Sequence, residues 1–364
     1  MSLSIVHVIT TIELGGAEKQ LLVLAESQKI EVENVEVLYL KGKPSLLEEF
    51  RQAQIEVSTK FSELNFFQQV LELKRRSRNS QSIFHAHLPR SELLCALALK
   101  SKSFVVTRHN TEAFFPNAPK FISRLLSRFV LKRASACIAI SQAVSDYLQD
   151  TRELAKSTKV FIIHYGLKNT IINKSQKVQT LAHRKYKIGT IARLVPQKNI
   201  SLLLGAIQLL ETEDSSDFHL IIAGDGPLKD QLYSLSIKLG IETRVTWKGK
   251  ISHVEEFYKE IDLFALSSNY EGFGLVLLEA MSYGVPVVAR RISAIPEALG
   301  TNHPGLIESS SSEELAFRMK EFLLNSKARE RCLDFQEHQL SNFSIKKTAL
   351  YHKWVYKNLS ERKI

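Results

Sequence analysis

Cysteine is scarce in this sequence, and Cys95, Cys137 and Cys332 stand too far apart to form a metal-binding pair. We therefore expect reduced, buried thiols in a cytoplasmic protein. Long apolar runs are also missing: none approaches the roughly 20 residues that cross a bilayer, and the chain opens on SIVHVIT without a basic leader. The sequence thus predicts a protein that is neither secreted through a signal peptide nor integral to a membrane.

Acidic residues are in deficit as well. The chain has 38 Asp and Glu against 49 Lys and Arg, which leaves a formal charge of +11. A positive charge of this size favours anionic partners such as nucleic acid, acidic membranes or phosphorylated substrates, and does not distinguish among them. With nine prolines and 44% hydrophobic residues in 364, the composition excludes a disordered or fibrous protein, and the length favours two domains.

Short β-branched runs alternate with stretches of helical period along the whole chain, which is typical of βαβ units and parallel sheets. The predicted strands are Ile5–Thr10, Val35–Leu40, Ile83–His87, Phe104–Arg108, Ala136–Ile140 and Val160–His164, then Lys187–Arg193, His219–Ala223, Arg244–Lys248, Leu263–Leu266 and Val285–Ala289. From about Ser311 the pattern changes to two or three amphipathic helices.

This order predicts an α/β protein with two Rossmann-like, doubly wound parallel-sheet domains that face a central cleft. The N-terminal domain is expected over residues 1–170 and the C-terminal domain over 187–344. A polar stretch at 171–186 is the expected linker, and the last helix, about 345–364, is expected to pack back on the N-terminal domain.

Glycines follow two of the predicted strands. Gly15 and Gly16 immediately precede a helix, whose N–H groups and dipole suit an anion. Gly224, in AGDGP, lies between a buried strand and a helix, where a nucleotide can approach the backbone. Taken alone, both segments are also ordinary turns, and for the glycine pair the structural role is the commoner one.

Two cations and two carboxylates mark the second domain. Arg193 and Lys198 follow its first strand and suit a diphosphate, although a solvated loop has the same composition. Glu271 precedes a glycine-rich turn, and Glu279 follows seven intervening residues later in the apolar stretch LVLLEAM. A carboxylate buried there needs a partner, which a hydroxyl-rich ligand or an internal salt bridge supplies. For Glu271 the structural alternative is a helix N-cap contact.

In this order, GGAEK, RLVPQKN, AGDGP, E-x7-E and GVPVVA resemble the family-four retaining glycosyltransferases of the GT-B fold, of the bacterial glycan, lipopolysaccharide and capsule type. The resemblance covers nearly the whole chain. It implies that Glu271 contacts the donor sugar and Glu279 the nucleotide ribose. It also implies that Arg193 and Lys198 hold the donor diphosphate.

The resemblance extends to residues that are weak signals by themselves. It implies that Gly15 and Gly16 approach the phosphates and that His109 faces the transferred sugar. A lone histidine is otherwise more often structural. The N–H groups of Gly274, Leu275 and Val276, which open a helix, are expected to complete the phosphate site. The chain departs from the family pattern at His109-Asn110, at Tyr165-Gly166-Leu167 and at Ser293–Glu297, which leaves the sugar and the acceptor open.

The implied activity is metal-independent, retaining hexosyl transfer from a nucleotide sugar, with uridine the commonest base in the family, to a glycan or lipid-linked acceptor in cell-envelope polysaccharide synthesis. No Asp-x-Asp follows a strand end, so no metal and no cofactor are expected. A nucleotide-sugar epimerase or a phosphorylase on the same fold stays open. A non-enzymatic basic module for membranes or nucleic acid leaves the cleft motifs unexplained, and we expect no nucleic-acid partner.

One segment suggests a membrane contact. In Lys120–Arg133 the apolar residues fall on one helical face, and Lys120, Arg124, Arg128 and Lys132 form a basic row beside it. The sequence therefore favours equally a helix that rests on the anionic inner face of the cytoplasmic membrane and an ordinary helix that buries its apolar face. A second basic cluster, Lys74, Arg75, Arg76 and Arg78, ends another apolar helical stretch.

Overall fold

The chain forms two units in the computed structural model, which describes residues 3–32, 34–78, 80–168, 185–210 and 217–360. Unit 1 comprises Met1–Lys168 and Ser344–Ile364, and unit 2 comprises Asn169–Phe343. The chain therefore leaves unit 1, builds unit 2 and returns with its last helix. The predicted linker at 171–186 lies outside the described residues except for its last two, which begin the first strand of unit 2.

Seven described strands form the sheet of unit 1, in the order β3-β2-β1-β4-β5-β6-β7. They are β1 (Ser4–Ile9), β2 (Asn34–Tyr39), β3 (Glu56–Ser58), β4 (Ile83–His87), β5 (Phe104–Arg108), β6 (Ala136–Ala139) and β7 (Val160–Ile162). Every pairing is parallel. Because helices cover both faces, the central strands are buried almost throughout.

The described α-helices of unit 1 are α1 (Gly16–Lys29), α2 (Leu47–Gln52), α3 (Lys60–Glu63), α4 (Phe66–Arg78), α5 (Pro89–Ala98), α6 (Lys120–Arg133), α7 (Gln142–Asp150) and, from the end of the chain, α15 (Ile345–Ser360). The last helix packs on α1, where Ile345 and Ala349 contact Leu24. The chain passes so close at Gly166 that a Cβ there would lie 2.6 Å from the Ile345 backbone. This glycine lets α15 approach the end of the sheet.

Unit 2 has a six-stranded sheet within the described residues, in the order β10-β9-β8-β11-β12-β13. Its strands are β8 (Lys185–Ile191), β9 (Asp217–Ala223), β10 (Val245–Gly249), β11 (Leu263–Leu266), β12 (Val287–Arg290) and β13 (Leu306–Ile307). Its α-helices are α8 (Ile200–Leu209), α9 (Lys229–Lys238), α10 (Val254–Glu260), α11 (Leu275–Ser282), α12 (Ile295–Leu299), α13 (Ser312–Leu324) and α14 (Ser326–Leu340).

The predicted fold class is confirmed, because both sheets are parallel and helices alternate with strands. The eleven predicted strands form, with ends that shift by up to two residues. The edge strands β3 and β13 were not predicted, because strands of three and two residues are too short to show the alternation of apolar and polar residues. All three cysteines are buried and free. Among the described helices, none has the length and apolar character needed to span a membrane.

Candidate functional site

The segment between β8 and α8 carries Arg193 and Lys198. Between them the buried Leu194 fixes the loop: its N–H donates to the Asp225 carbonyl, and its carbonyl accepts from the Leu228 N–H, both at 3.0 Å. Lys198 ends a single 3-10 turn and is half-buried. Arg193 is exposed and makes no ion pair with another described residue. A rigid backbone thus presents one guanidinium to solvent.

Lys198 is paired with Glu271, which follows β11. The Lys198 Nζ lies 2.6 Å from Glu271 Oε1, and the Ser268 hydroxyl donates to the same oxygen at 2.6 Å. Only 6% of Glu271 is exposed, so these two donors replace the water that its carboxylate loses. Glu271 is not the N-cap residue of α11, because Gly274 occupies that position. Lys198 carries three N–H donors, so one bond to Glu271 leaves donors for an anion.

The helix α11 begins at a glycine in the left-handed region. Gly274 has φ 85°, and a Cβ there would lie 2.8 Å from Leu277 Cδ1. The cap has no side chain to bond the first turn, and the N–H groups of Leu275 and Val276 have no acceptor inside the helix. Since β8 and β11 are neighbouring parallel strands, this helix start and the Arg193 loop follow the same edge of the sheet.

Glu279 is half-buried on α11, and this corrects the expectation that it is enclosed among apolar residues. The hydroxyl of Tyr258 lies 3.0 Å from Glu279 Oε2 and 3.1 Å from the Val276 carbonyl. Tyr258 is fully buried and stacks on Tyr283 at 5.3 Å. Sequence reasoning missed Tyr258 because it lies on α10, 21 residues from Glu279, with no local pattern to mark it.

The glycines of AGDGP allow their backbone to pack closely against the backbone of the segment that carries Arg193. A Cβ on Gly224 would lie 1.9 Å from the Ala192 carbonyl oxygen, and one on Gly226 would lie 2.5 Å from that of Leu194. Gly224 also has φ 136°, a conformation that favours glycine. Packing against the Arg193 loop is therefore sufficient to require these glycines, and through that loop they position the cation.

In unit 1 the start of α1 is already occupied by a carboxylate. Gly15 is the N-cap of α1, and a Cβ on it would lie 2.2 Å from Glu18 Oε2. The other oxygen of Glu18 accepts a hydrogen bond from Thr11 at 2.9 Å. Burial raises the pKa of Glu18 against the lowering effect of its backbone hydrogen bond. Any anion that approaches Gly15 and Gly16 has to compete with this side chain.

His109 follows β5 and is half-buried. Its Nδ1 lies 2.5 Å from the Tyr165 hydroxyl and its Nε2 lies 3.3 Å from His87 Nδ1. Burial lowers the pKa of His109 to about 3, so the ring is neutral at physiological pH. A cavity of about 20 Å³, the size of one water molecule, is lined by His109, His87, Tyr165, His352 and other residues of unit 1.

We use the name histidine cluster for His7, His85, His87, His109 and His352. Within the described part of the chain, His7, His85 and His87 form the group of three side chains whose spacing could hold a metal ion. Only His109 was singled out from the sequence. The alternation in FHAHLP, which sends His85 and His87 to one face of a strand, is the signal that could have revealed the others.

The sequence-predicted residues thus divide between the two units. Gly15, Gly16 and His109 belong to unit 1, and the others belong to unit 2. Among the predicted residues of unit 2, Lys198 and Glu271 are in direct contact, which the sequence did not predict.

Comparison with known proteins agrees with this architecture. Residues 14–168 match the model described as Glycosyltransferase Family 4, and residues 171–337 match the one described as Glycosyl transferases group 1. The chain belongs to the family-four glycosyltransferases of the GT-B fold. The family predicted from the motifs is therefore confirmed.

Among its relatives is the N-acetyl-alpha-D-glucosaminyl L-malate synthase of Bacillus anthracis, 28% identical over 63% of this chain and 62% of that protein. An alpha-1,4-N-acetyl-D-galactosaminyltransferase of Campylobacter jejuni, whose name specifies an undecaprenol-linked glycan, is 24% identical over 92% of this chain and 95% of that protein. The structure of Anabaena HepE with UDP and glucose superposes with a TM-score of 0.81 and 19% identity, over 98% of this chain and all of that one.

Proposed function

We propose that this glycosyltransferase transfers a sugar from a UDP-linked donor to a glycan or lipid-linked acceptor in cell-envelope polysaccharide synthesis. The observation that carries the proposal is the Lys198–Glu271 pair beside Arg193 and the uncapped start of α11, all at one edge of the unit 2 sheet. UDP in the HepE structure and the undecaprenol-linked glycan in the Campylobacter name support the donor and acceptor classes.

In the proposed reaction, charge stabilisation on the departing diphosphate lowers the barrier. Arg193 supplies an exposed fork of donors, Lys198 a point charge, and Gly274, Leu275 and Val276 supply backbone N–H groups. Glu271, held by Lys198 and Ser268, is assigned to the donor sugar, and Glu279, held by Tyr258, to the ribose. The family resemblance adds His109 beside the transferred sugar.

A panel of nucleotide sugars tests the donor assignment. A ligand that binds only the folded protein raises its melting temperature, so we expect UDP-sugars to give larger shifts than GDP-, ADP- or TDP-sugars. Release of free UDP only when an acceptor is added would distinguish a transferase from an epimerase. A panel in which no UDP-sugar stabilises the protein would contradict the donor assignment.

We propose further that the reaction retains the anomeric configuration and needs no metal ion, because protein cations neutralise the diphosphate. Retention is expected by front-face attack, with the departing phosphate taking the proton of the acceptor hydroxyl. NMR of the product should show the same anomer as the donor, and saturating EDTA should leave turnover unchanged. Inversion would overturn the first statement, and activity that is lost on chelation and restored by Mg²⁺ or Mn²⁺ would overturn the second.

We propose that unit 1 rests on an anionic membrane surface. Most of the apolar row of α6 faces outward: Phe121 is 60% exposed and Leu125 59%, whereas Val130 at its end is buried, as are Ser123 and Ser127 on the other side. Ser127 faces inward because it bonds Arg108 and Glu153. Burial in the core therefore accounts for Val130 at the end of the row and leaves the exposed residues without a core contact.

The neighbouring helices extend this surface. The helix α5 packs against both α4 and α6. Phe67 and Leu71 of α4 are 81% and 67% exposed, and Leu97 of α5 is 47% exposed. The same helices carry exposed basic residues, Lys74 and Arg75 on α4 and Arg124 and Lys132 on α6. Apolar side chains bordered by cations are the composition of a helix that lies in a lipid headgroup layer.

Vesicle sedimentation tests this contact. Arg128 is unsuitable for charge reversal, because its guanidinium donates to the carbonyls of Arg152 and Leu154. We therefore choose Lys120→Glu with Arg124→Glu, and as the matched control Lys238→Glu with Lys250→Glu, two exposed lysines of unit 2. Each cation near an acidic surface contributes about 1 kcal/mol, so only the α6 pair should abolish binding to phosphatidylserine vesicles at low salt. If the wild-type protein fails to sediment, this contact is refuted.

A further inference from the structure

Three rings of the histidine cluster belong to strands of the unit 1 sheet, and a fourth directly follows one of its strands. His7 on β1 pairs in register with His85 on β4, so their side chains share one face of the sheet. His87 lies two residues further along β4, on the same face, and His109 follows the neighbouring strand β5. From α15, His352 and Tyr356 pack against these rings. A polar layer thus lies in the interior of unit 1.

The hydrogen bonds of this layer have one direction, which the Gln28 amide determines. Its NH₂ group donates to the Tyr356 hydroxyl at 3.3 Å, so its carbonyl oxygen accepts from His7 Nε2 at 2.8 Å. His7 therefore carries its proton on Nε2, and its Nδ1 accepts from His87 Nε2 at 3.0 Å. By the same reasoning His87 Nδ1 accepts from His109 Nε2, and His109 Nδ1 accepts from the Tyr165 hydroxyl.

The direction continues beyond Gln28. The Tyr356 hydroxyl, which accepts from Gln28, donates to His85 Nδ1 at 2.7 Å, and His85 Nε2 donates to Thr107 Oγ1 at 2.7 Å. Each nitrogen of His7, His85, His87 and His109 therefore has one partner, with one proton per ring. These bonds use the lone pairs that a metal ion would need, so the hydrogen-bonded chain explains the cluster without a metal.

Tyr165 stands at the donating end of this chain, and its backbone is held in place. The next residue, Gly166, exchanges two hydrogen bonds with the Gln20 side chain, at 3.1 and 3.3 Å. Burial raises the pKa of the Tyr165 hydroxyl, which keeps its proton available for donation. Tyr165 also belongs to Tyr165-Gly166-Leu167, one of the places where the sequence departs from the family pattern.

We propose that Tyr165 is a positioning residue that acts through His109: His87 accepts the proton of His109 Nε2, and the Tyr165 hydroxyl donates to Nδ1 and so fixes the orientation of the ring. The inference rests on the proposed function, in which His109 faces the donor sugar. With Nδ1 bonded to Tyr165 and Nε2 to His87, His109 meets the sugar as a neutral, oriented ring. It does not act as a general base.

The tautomer of His109 is measurable by long-range ¹H–¹⁵N spectra of protein labelled on histidine, with His109→Gln to assign its signals. We expect a neutral ring protonated on Nε2 from pH 5 to 8. Tyr165→Phe should leave the proton on Nε2, which His87 still accepts, but shift the Nδ1 resonance, because Nδ1 loses its donor, and lower turnover by roughly 3- to 10-fold, the effect of one lost hydrogen bond. Tyr39→Phe, which removes a hydroxyl bonded to Ser62 elsewhere in unit 1, is the matched control and should change neither.

Three results would overturn the proposal. They are a His109 ring protonated on Nδ1, a Tyr165→Phe variant with an unchanged Nδ1 resonance and unchanged turnover, and one equivalent of zinc in the purified protein that His87→Gln removes. The tautomer measurement needs no substrate. Inactivity of the wild-type protein toward UDP-sugars would therefore count against the proposed function, while the spectra still test the hydrogen-bonded chain.

Discussion

At the scale of single residues, the two cations of the proposed donor site differ in what holds them. Lys198 neutralises a carboxylate that is almost fully buried, whereas Arg193 is exposed and has no described ion-pair partner. Removing one member of a buried pair leaves an uncompensated charge, at a cost of about 3–5 kcal/mol when burial is complete. The two cations should therefore be separable by stability although both act on the same diphosphate.

We expect Arg193→Ala and Lys198→Ala each to lower turnover by roughly a hundredfold or more, the scale of one lost charge stabiliser. Only Lys198→Ala should also lower the free energy of unfolding, and Lys198→Ala with Glu271→Gln should restore part of it. Steady-state kinetics and urea unfolding measure the two effects. Near-normal turnover in both folded single variants would remove these cations from the site.

The second expectation at this scale concerns Tyr258, whose hydroxyl orients the Glu279 carboxylate. Tyr258→Phe should weaken UDP binding by roughly 3- to 10-fold, since one hydrogen bond to the carboxylate is lost. Glu279→Gln should weaken UDP binding too, while Glu271→Gln should lower donor turnover much more than UDP affinity.

Calorimetry with UDP and with its 2′- and 3′-deoxy analogues makes this test specific. The wild-type protein should prefer UDP, and Tyr258→Phe should reduce that preference. Tyr233→Phe, an exposed tyrosine of α9, is the matched control. Loss of UDP affinity with an undiminished preference over both deoxy analogues would separate Tyr258 from the ribose contact.

At the scale of elements, the start of α1 shows how a side chain replaces a ligand at a helix end. The Glu18 carboxylate lies where a Gly15 side chain would be, and Gly16 has open space around its Cβ position. Gly15→Ala should therefore displace Glu18 and cost about 1 kcal/mol, as when a helix cap is lost. Thermal unfolding should show a fall of roughly 2–4 °C for this variant, and none for Gly16→Ala. Equal shifts in both variants would contradict this role of Glu18.

The elements also show what the sequence could and could not predict. The strands were predictable because parallel strands covered on both faces need apolar runs, and the segments of the donor site because each follows a strand. The orientation of α6 was not predictable, because Ser127 is buried through hydrogen bonds to Arg108 and Glu153, which are distant in sequence. For the same reason no local pattern indicates the Lys198–Glu271 pair, separated by 73 residues.

At the scale of the whole molecule, the two units should respond differently to acid. Burial lowers the pKa of His7 and His352 to about 4 and that of His109 to about 3, and it holds those of His85 and His87 well below 6.5. These pKa values are lowered in the folded state, so the stabilisation is complete above pH 6.5 and is lost as pH falls toward 4. Each proton taken up only on unfolding changes stability by about 1.4 kcal/mol per pH unit.

The two tryptophans allow this to be measured for each unit, since Trp247 lies in unit 2 and Trp354 in unit 1. Trp247→Phe leaves the unit 1 reporter, and Trp354→Phe leaves the unit 2 reporter. We expect the melting temperature from the unit 1 reporter to fall more steeply between pH 6.5 and 5, because in the described part of unit 2 one buried histidine, His303, has a pKa lowered to about 4. Equal slopes would contradict the expectation.

The return of the chain to unit 1 has a consequence for synthesis on the ribosome. All of Asn169–Phe343 is translated between β7 and α15, which at 5–20 residues per second takes roughly 10–35 s. During that interval the face of unit 1 that holds His85 lacks its contact with Tyr356 of α15. Leu167 and Ser344, which flank unit 2, form a parallel bridge, so a folded unit 2 shortens the loop that must close when α15 docks. Nascent unit 1 is therefore the segment for which early chaperone binding is expected.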